Sequence, residues 1–442
     1  MLYINTKTDT PPTPDFVANL LTEQNKMMGV PIDYDRLLEY YSFSAVRAEQ
    51  LNRVLCKVAS AKRVVDYFDK NEFITLLKSV NQAHLLPLTK AGSVSVTSDA
   101  VEAIINNDLV PQEVKDVCKL YQMLNEHNKI VSTYADLKEK CLRSSIPTCE
   151  GHRMAILRPT WVLQNTGRIG ARDPGFMNFP RKHKDIFTVP KGWVLVDTDS
   201  GQIEPRVIVS AFIKDPVLKK CIMAYNDAYY GYIHYCLYLS DAERSNPNCE
   251  IIPRVIDDDM KSMRSRFKTY GNATMYGSTE NKMQDPYKAK FIQYIGNHPA
   301  RLEWQQRSLA AVTKGDYVVK TIFGTPIDVR NEGSASDRRY EDKSSDLYIK
   351  HLGKAALNNV VQGTAADLMR LSVLNAFSIL REKSQYSCIL GYIHDAGRFA
   401  IYEDDYPIVG KEIEDITAYQ VDDWIPIYAD AHVGPYEHKP LG

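Results

Sequence analysis

Apolar positions in the first third of the chain recur at helical spacing. From Asp33 onward, Leu37, Leu38, Tyr41, Val46, Leu51, Val54, Leu55 and Val58 predict one long helix, with Asp33 as its N-cap. A second helix is predicted to start near Pro111, a first-turn proline, and to carry Val114, Val117, Tyr121 and Leu124 on one stripe. Ahead of both, Thr6 to Pro14 is polar and proline-rich and reads as a mobile leader or short connector. The pattern changes at Ile146 to Glu150, after which apolar runs become short and strand-like: Trp193–Val196, then Cys388–Ile393 and Arg398–Tyr402. The last two flank His394–Gly397 and predict a β-hairpin with its polar residues at the turn. A mainly helical stretch from Asp215 to Lys350, with a basic segment at Lys261–Lys268, separates these strand regions.

Composition narrows the class without naming it. A chain of 442 residues, 44% apolar and 25% charged, is ordinary for a globular protein and long enough for about three structural units. With 54 Lys and Arg against 55 Asp and Glu, the net charge of -1 leaves any polyanion site to be local. The eight cysteines form no C-x-x-C pair and no compact Cys/His cluster with zinc spacing, which favours free thiols in a reducing compartment. No secretory leader or membrane-length apolar run is present, so a soluble, intracellular protein without a membrane partner is expected.

Two carboxylates stand where predicted strands run out. Asp199 follows Trp193–Val196, and Asp395 lies at the hairpin turn; brought together in one sheet they suit Mg2+, which takes a few carboxylates plus substrate phosphates. Either one alone reads more readily as a turn or cap aspartate. On the basic segment Arg264 and Lys268 share a helix face, with Tyr276 eight residues on, and Asp257, Asp258 and Asp259 precede them at the N-terminal end. Guanidinium and ammonium neutralise phosphates and a ring stacks on a base, although such a face in isolation is also a plain solvated stripe.

These segments together resemble family A DNA polymerases. Asp199-Ser-Gly-Gln-Ile-Glu-Pro-Arg206 is similar to the family's D-x-x-Q-I-E-x-R motif, Arg264-x3-Lys268-x7-Tyr276-Gly277 to its nucleotide-receiving helix, and Ile393-His394-Asp395 to V-H-D-E. Thr166-Gly-Arg168, Asp173-Pro174, Asn178-Phe-Pro180, Asn358 and Gln362-Gly-Thr-Ala-Ala-Asp367 resemble its primer and template contacts. Ser132-Thr-Tyr134 and Val96–Ala103 resemble parts of its thumb. The resemblance implies an α+β, right-hand polymerase with an antiparallel-sheet palm and mainly helical fingers and thumb. Its parts would be a leader (1–22), thumb (23–148), first part of the palm (149–214), fingers (215–350) and second part of the palm with the catalytic hairpin (351–442).

The implied activity is template-directed extension of a primer 3'-hydroxyl by deoxynucleoside triphosphates, with two Mg2+ ions on Asp199, Asp395 and the main-chain carbonyl of Ser200. Arg264, Lys268 and His234 would meet the triphosphate, with Lys268 the general acid toward pyrophosphate. Gln202, Glu204, Tyr276 and Asn272 would complete the nucleotide site, Glu204 as the barrier to a 2'-hydroxyl. Arg168, Asn178, Arg181, Lys182, Lys354, Asn358, Gln362 and His394 would contact DNA, making affinity fall with salt despite the neutral total. Primed template and deoxynucleotides are the implied partners, a separate exonuclease or processivity factor further ones, and a bacterial or phage-infected cytoplasm the implied setting.

Several positions depart from the family pattern. Ala396 stands where a carboxylate usually follows His-Asp, and Asp197, two residues before Asp199 on an extended strand, is either its substitute or an unrelated surface acid. Asn272 replaces an aromatic that packs on the sugar, which opens a reading as a sugar-relaxed or lesion-bypass enzyme. Lys354 replaces an arginine, Phe323-Gly-Thr-Pro-Ile327 lacks arginines, and Asp241–Glu250 is an apparent insertion of unassigned role. About twenty residues precede the match, against roughly a domain's length for a proofreading exonuclease, so proofreading is expected to be absent or supplied by another polypeptide. A catalytically weak DNA-binding subunit is the remaining alternative, motivated by Ala396.

Overall fold

The computed structural model describes residues 1–60, 66–87, 94–175, 179–277, 285–331 and 345–438. The architecture is α+β: long helices surround a four-stranded antiparallel sheet in the order Cys388–Ile393, Ala396–Tyr402, Trp193–Ser200, Ala429–Val433. Val196, Phe399 and Ile401 in this sheet belong to the main apolar core. Alternation then fixes the two faces of Trp193–Ser200. Thr198 and Ser200 turn inward, where the Thr198 hydroxyl meets that of Thr417 at 2.5 Å and the Ser200 hydroxyl donates to the Thr417 carbonyl at 2.9 Å. Asp197 and Asp199 must therefore share the other face.

Helix Asp346–Lys383 has 38 residues and would be about 57 Å long. From Leu352 to Arg370 every side chain is buried except Lys354, Asn358 and Gln362. This stretch sits inside the molecule, and its i, i+4, i+8 polar line is the one opening between Leu352 and Arg370. Gly363 allows a hairpin to lie against it, since a Cβ there would come 2.4 Å from Ile327 Cδ1 and 2.9 Å from Thr321 Cγ2. Asp367 is wholly buried, accepts from Thr325 at 3.0 Å and pairs with Thr321 and Arg370, which makes it a tie between that hairpin and the helix.

Helix Tyr34–Ala59 does start after Asp33, whose carboxylate accepts from Arg36 N at 2.9 Å. It packs along Gln112–Lys140. The buried seam is Leu37, Tyr40, Ser44, Ala48, Leu51 and Leu55, a 3-4-4-3-4 spacing. Val46, Val54 and Val58 of the anticipated stripe face outward instead, at 54%, 45% and 41% exposure. The apolar list overran the seam because a two-helix contact is narrower than a globular face. Pro111 is the residue before the first helical turn of Gln112–Lys140, not within it. Beyond this seam a second core gathers Leu55, Phe73, Leu77, Val101, Ile104, Cys118, Tyr121 and Leu124, with Phe73 stacked on Tyr121 at 4.0 Å.

The anticipated leader is folded. Leu2–Ile4 pairs in parallel with Tyr419–Val421, and helix Pro14–Met27 is capped by Thr13 and buries Val17 and Leu21 completely. The prolines supply the helix start, and Arg370 Nε holds the Pro12 carbonyl at 2.8 Å. No helix among the described residues is long and apolar enough to cross a membrane. All eight cysteines are unpaired.

Candidate active site

The hairpin turn is tighter than the sequence suggests: Ala396 and Gly397 already belong to the second strand, and only His394 and Asp395 turn. His394 takes a left-handed conformation, φ 57°, which a two-residue turn between twisted strands requires at its first position. The turn is latched sideways, because Ser200 N donates to the Asp395 carbonyl at 2.9 Å. That bond brings Asp395 beside the end of the strand carrying Asp199. In register, Asp199 lies between Ala396 on one neighbouring strand and Asp430 on the other. Burial pushes the Asp395 carboxyl up, against its own N–H and the more distant charge of Arg168. A bound cation would offset that cost. Since Ser200 turns its hydroxyl inward, its main-chain oxygen is the group left for a metal; with two carboxylates this is an all-oxygen set suited to Mg2+.

Two hydrogen-bonded chains connect this sheet end to helix Asp258–Met275. In the first, Glu204 accepts from Arg168 Nη2 at 2.5 Å and from the Tyr276 hydroxyl at 2.6 Å. Burial, then the Glu204 charge, push the Tyr276 hydroxyl far up, so it remains a donor. In the second, Asp227 Oδ2 accepts from Gln202 Nε2 at 2.5 Å and from Arg264 Nε and Nη2 at 3.0 and 2.8 Å. Asp227 Oδ1 meanwhile caps helix Ala228–Ile233. Gln202 reaches it from a left-handed backbone, φ 56°, while its side-chain Oε1 accepts from Ala228 N at 2.6 Å. Arg264 also lies over the rings of Tyr229 and Tyr230 at 5.4 and 5.6 Å.

The helix carrying Arg264 is two-faced. Met260, Phe267, Tyr270, Gly271, Thr274 and Met275 are buried. Lys268 and Asn272 are exposed, continuing the line of Arg264 at four-residue steps.

Other anticipated residues fall elsewhere. His234 is 5% exposed and meets the Tyr225 hydroxyl at 2.9 Å, so it does not join the surface of Arg264 and Lys268. Its burial lowers the imidazole pKa. Lys182 pairs with Glu126 at 2.5 Å. Asn178 lies outside the described residues, as does the side chain of Arg181. Asp197 is neither a surface acid nor an unengaged ligand: Arg398 grips both its oxygens at 2.6 Å and Tyr436 donates at 2.6 Å. Burial alone would raise its pKa, but Arg398 and Tyr436 hold it low. In the apparent insertion, Ser240 and Glu243 cap helix Asp241–Arg244, and Arg244 stacks on Tyr294 at 3.5 Å. Sequence reasoning missed Asp227, Tyr229 and Tyr230; the signal available was an aspartate at an N-cap position before an aromatic-rich turn.

Residues 76–438 match DNA polymerase family A. The DNA polymerase I of Caldicellulosiruptor bescii is 24% identical over 421 residues, covering 89% of this chain and 43% of that protein. The thermostable DNA polymerase I of Thermus caldophilus is 28% identical over 323 residues, covering 69% of this chain and 33% of its own. This chain thus spans less than half the length of these relatives. Among solved structures, the POL domain of Pol1 from M. smegmatis, in complex with DNA primer-template and dNTP, has the same fold, with a TM-score of 0.74 and 17% identity over 95% of this chain and 69% of that one. With its motif residues assembled around one sheet end and most of its length matched, the chain belongs to DNA polymerase family A.

Proposed function

We propose that this chain extends a primer 3'-hydroxyl with deoxynucleoside triphosphates chosen by a template. The observation that carries the reading is the Ser200–Asp395 main-chain bond, which joins two carboxylate-bearing strand ends opposite a helix presenting Arg264 and Lys268. Two bound Mg2+ ions would supply the charge needed to ionise the hydroxyl and stabilise the leaving pyrophosphate. Asp199, Asp395 and the Ser200 carbonyl hold them. Arg264 and Lys268 bind the triphosphate, and Lys268 gives a proton to the departing pyrophosphate.

Glu204, tied between Arg168 and Tyr276, is a rigid wall against a 2'-hydroxyl. Lys354, Asn358 and Gln362 line the opening through which a minor groove is read. Contacts of that kind test base-pair shape without reading sequence. The proposed parts are a thumb centred on Tyr34–Ala59 and Gln112–Lys140, a palm on the four-stranded sheet, and fingers from 215 to 350.

The exposed amide of Asn272 favours one second reading, in which sugar choice is relaxed. Primer extension with deoxy-, dideoxy- and ribonucleotides tests both. Template-dependent addition of deoxynucleotides alone supports the first reading, and efficient use of ribonucleotides the second. Absence of extension from the unmodified chain would leave only a DNA-binding role.

A further inference from the structure

A second cluster of donors lies where strand Val30–Asp33 runs into helix Tyr34–Ala59. The Asp33 side chain is fully buried. Its Oδ1 caps the helix, and its Oδ2 faces two imidazoles: His152 Nδ1 at 2.6 Å and His438 Nε2 at 3.5 Å. Glu150 Oε2 lies 3.8 Å from the same His438 nitrogen. One donor atom from each of the four residues lies within 4.8 Å of all the others. We propose that Asp33, Glu150, His152 and His438 form a structural site for a zinc-type divalent cation, separate from the carboxylates Asp199 and Asp395.

The donor set identifies the cation class. Two imidazole nitrogens and two carboxylate oxygens suit Zn2+, whereas Mg2+ favours oxygen alone. Two carboxylates cancel the charge of one divalent ion while both imidazoles stay neutral. Bonds of about 2.0–2.1 Å in a tetrahedron set neighbouring donors about 3.3 Å apart. The separations of 2.6, 3.5 and 3.8 Å bracket that value, so modest side-chain movement completes the site.

Three donors come from fixed backbone. Asp33 pairs in register with Met154, and Tyr34 N donates to the Arg153 carbonyl at 2.9 Å. Glu150 and His152 flank Gly151, φ 88°, in a turn closed by Thr148 N to the His152 carbonyl at 2.9 Å and by His152 N to Thr148 Oγ1 at 3.0 Å. The fourth donor comes from the C-terminal segment, which is already anchored two residues earlier by Tyr436 on Asp197. Side-chain exposures of 39% for His152, 32% for Glu150 and 28% for His438 leave an entry path. An ion here would fasten the C-terminal segment to the base of the long helical pair, adding binding energy to the folded state alone. Donors drawn from three distant stretches have no sequence spacing to recognise, which is why cysteine and histidine spacing does not reveal the site.

The test is metal retention by the full chain after dialysis against excess Mg2+, followed by Co2+ substitution. One equivalent of Zn2+ retained, visible Co2+ bands of tetrahedral intensity, and a melting temperature raised by several degrees with Zn2+ are expected. His438→Ala and the conservative Glu150→Gln should lose all three while keeping native circular dichroism. An Asp199→Ala/Asp395→Ala protein should keep them, which separates this site from the catalytic one. No retained Zn2+ in the unmodified chain, or equal retention in the folded His438→Ala protein, would overturn the proposal.

Discussion

The hydroxyl of Tyr276, at the end of helix Asp258–Met275, donates to the carboxylate of Glu204, on the first turn after the strand that carries Asp199, at 2.6 Å. This bond couples the helix that would receive a nucleotide to the wall that would judge its sugar. A hydrogen bond to a charged group is worth about 1.5–3 kcal/mol. Tyr276→Phe therefore leaves Glu204 held by Arg168 alone. Discrimination against ribonucleotides, measured as the ratio of kcat/KM for the two sugars, should fall about tenfold, corresponding to about 1.4 kcal/mol. An unchanged ratio would remove Glu204 from the role of sugar gate.

In its proposed role Asp395 sets stability against function. Burial raises its pKa in the folded, metal-free chain, so folding favours the protonated form. Stability from this group is present at low pH and is lost as pH rises through the folded pKa. At neutral pH Asp395→Asn should therefore raise the melting temperature of the metal-free protein by a few degrees while abolishing extension. A lowered melting temperature for this variant would contradict the account.

Asp197 is expected to behave in the opposite way. Its pKa is depressed by Arg398, so its stabilisation is present above the ordinary carboxylate range and disappears as pH falls through the folded value. Removing one partner of a buried pair costs about 3–5 kcal/mol. Denaturant unfolding of Asp197→Ala near pH 7 should show a loss of that order, shrinking toward acid pH. In whatever folds, the Mg2+ dependence of extension should be unchanged, because Arg398 and Tyr436 occupy this carboxylate.

Along the buried helix, Lys354, Asn358 and Gln362 are open in a surface otherwise closed from Leu352 to Arg370. Asn358→Ala and Gln362→Ala should change the melting temperature by less than about 1–2 °C, since they disturb no core contact. Affinity for primed DNA should fall about tenfold for each, read by fluorescence anisotropy at fixed salt. Large destabilisation with unaltered DNA affinity would make them structural.

Much of this site was legible in the sequence because its residues sit in short, contiguous patterns. Asp199 lies at the end of one strand and Glu204 follows it, Arg264 and Lys268 share one helix face, and Asp395 sits on a two-residue turn. What was not legible depends on contacts between distant segments. Asp227 reads as an ordinary N-cap until Arg264, thirty-seven residues on, is found on its carboxylate. Asp197 looks like a spare acid because Arg398 and Tyr436 come from other strands and the chain end. The N-terminal residues look mobile because a three-residue strand carries too little pattern to predict; its partner, Tyr419–Val421, lies at the other end of the chain. The family resemblance puts His234 at the triphosphate, whereas in the structure it is buried against Tyr225.

Asp199 and Asp395, joined through the Ser200–Asp395 bond, are proposed as one metal-dependent catalytic pair. Single-turnover incorporation of one deoxynucleotide on a primed template, followed across a Mg2+ titration, tests it most directly. The unmodified chain should incorporate the templated nucleotide, and Asp199→Ala and Asp395→Ala should each reduce the rate by at least a thousandfold, about 4 kcal/mol, while still binding DNA. Incorporation at near-normal rate by either variant would contradict it.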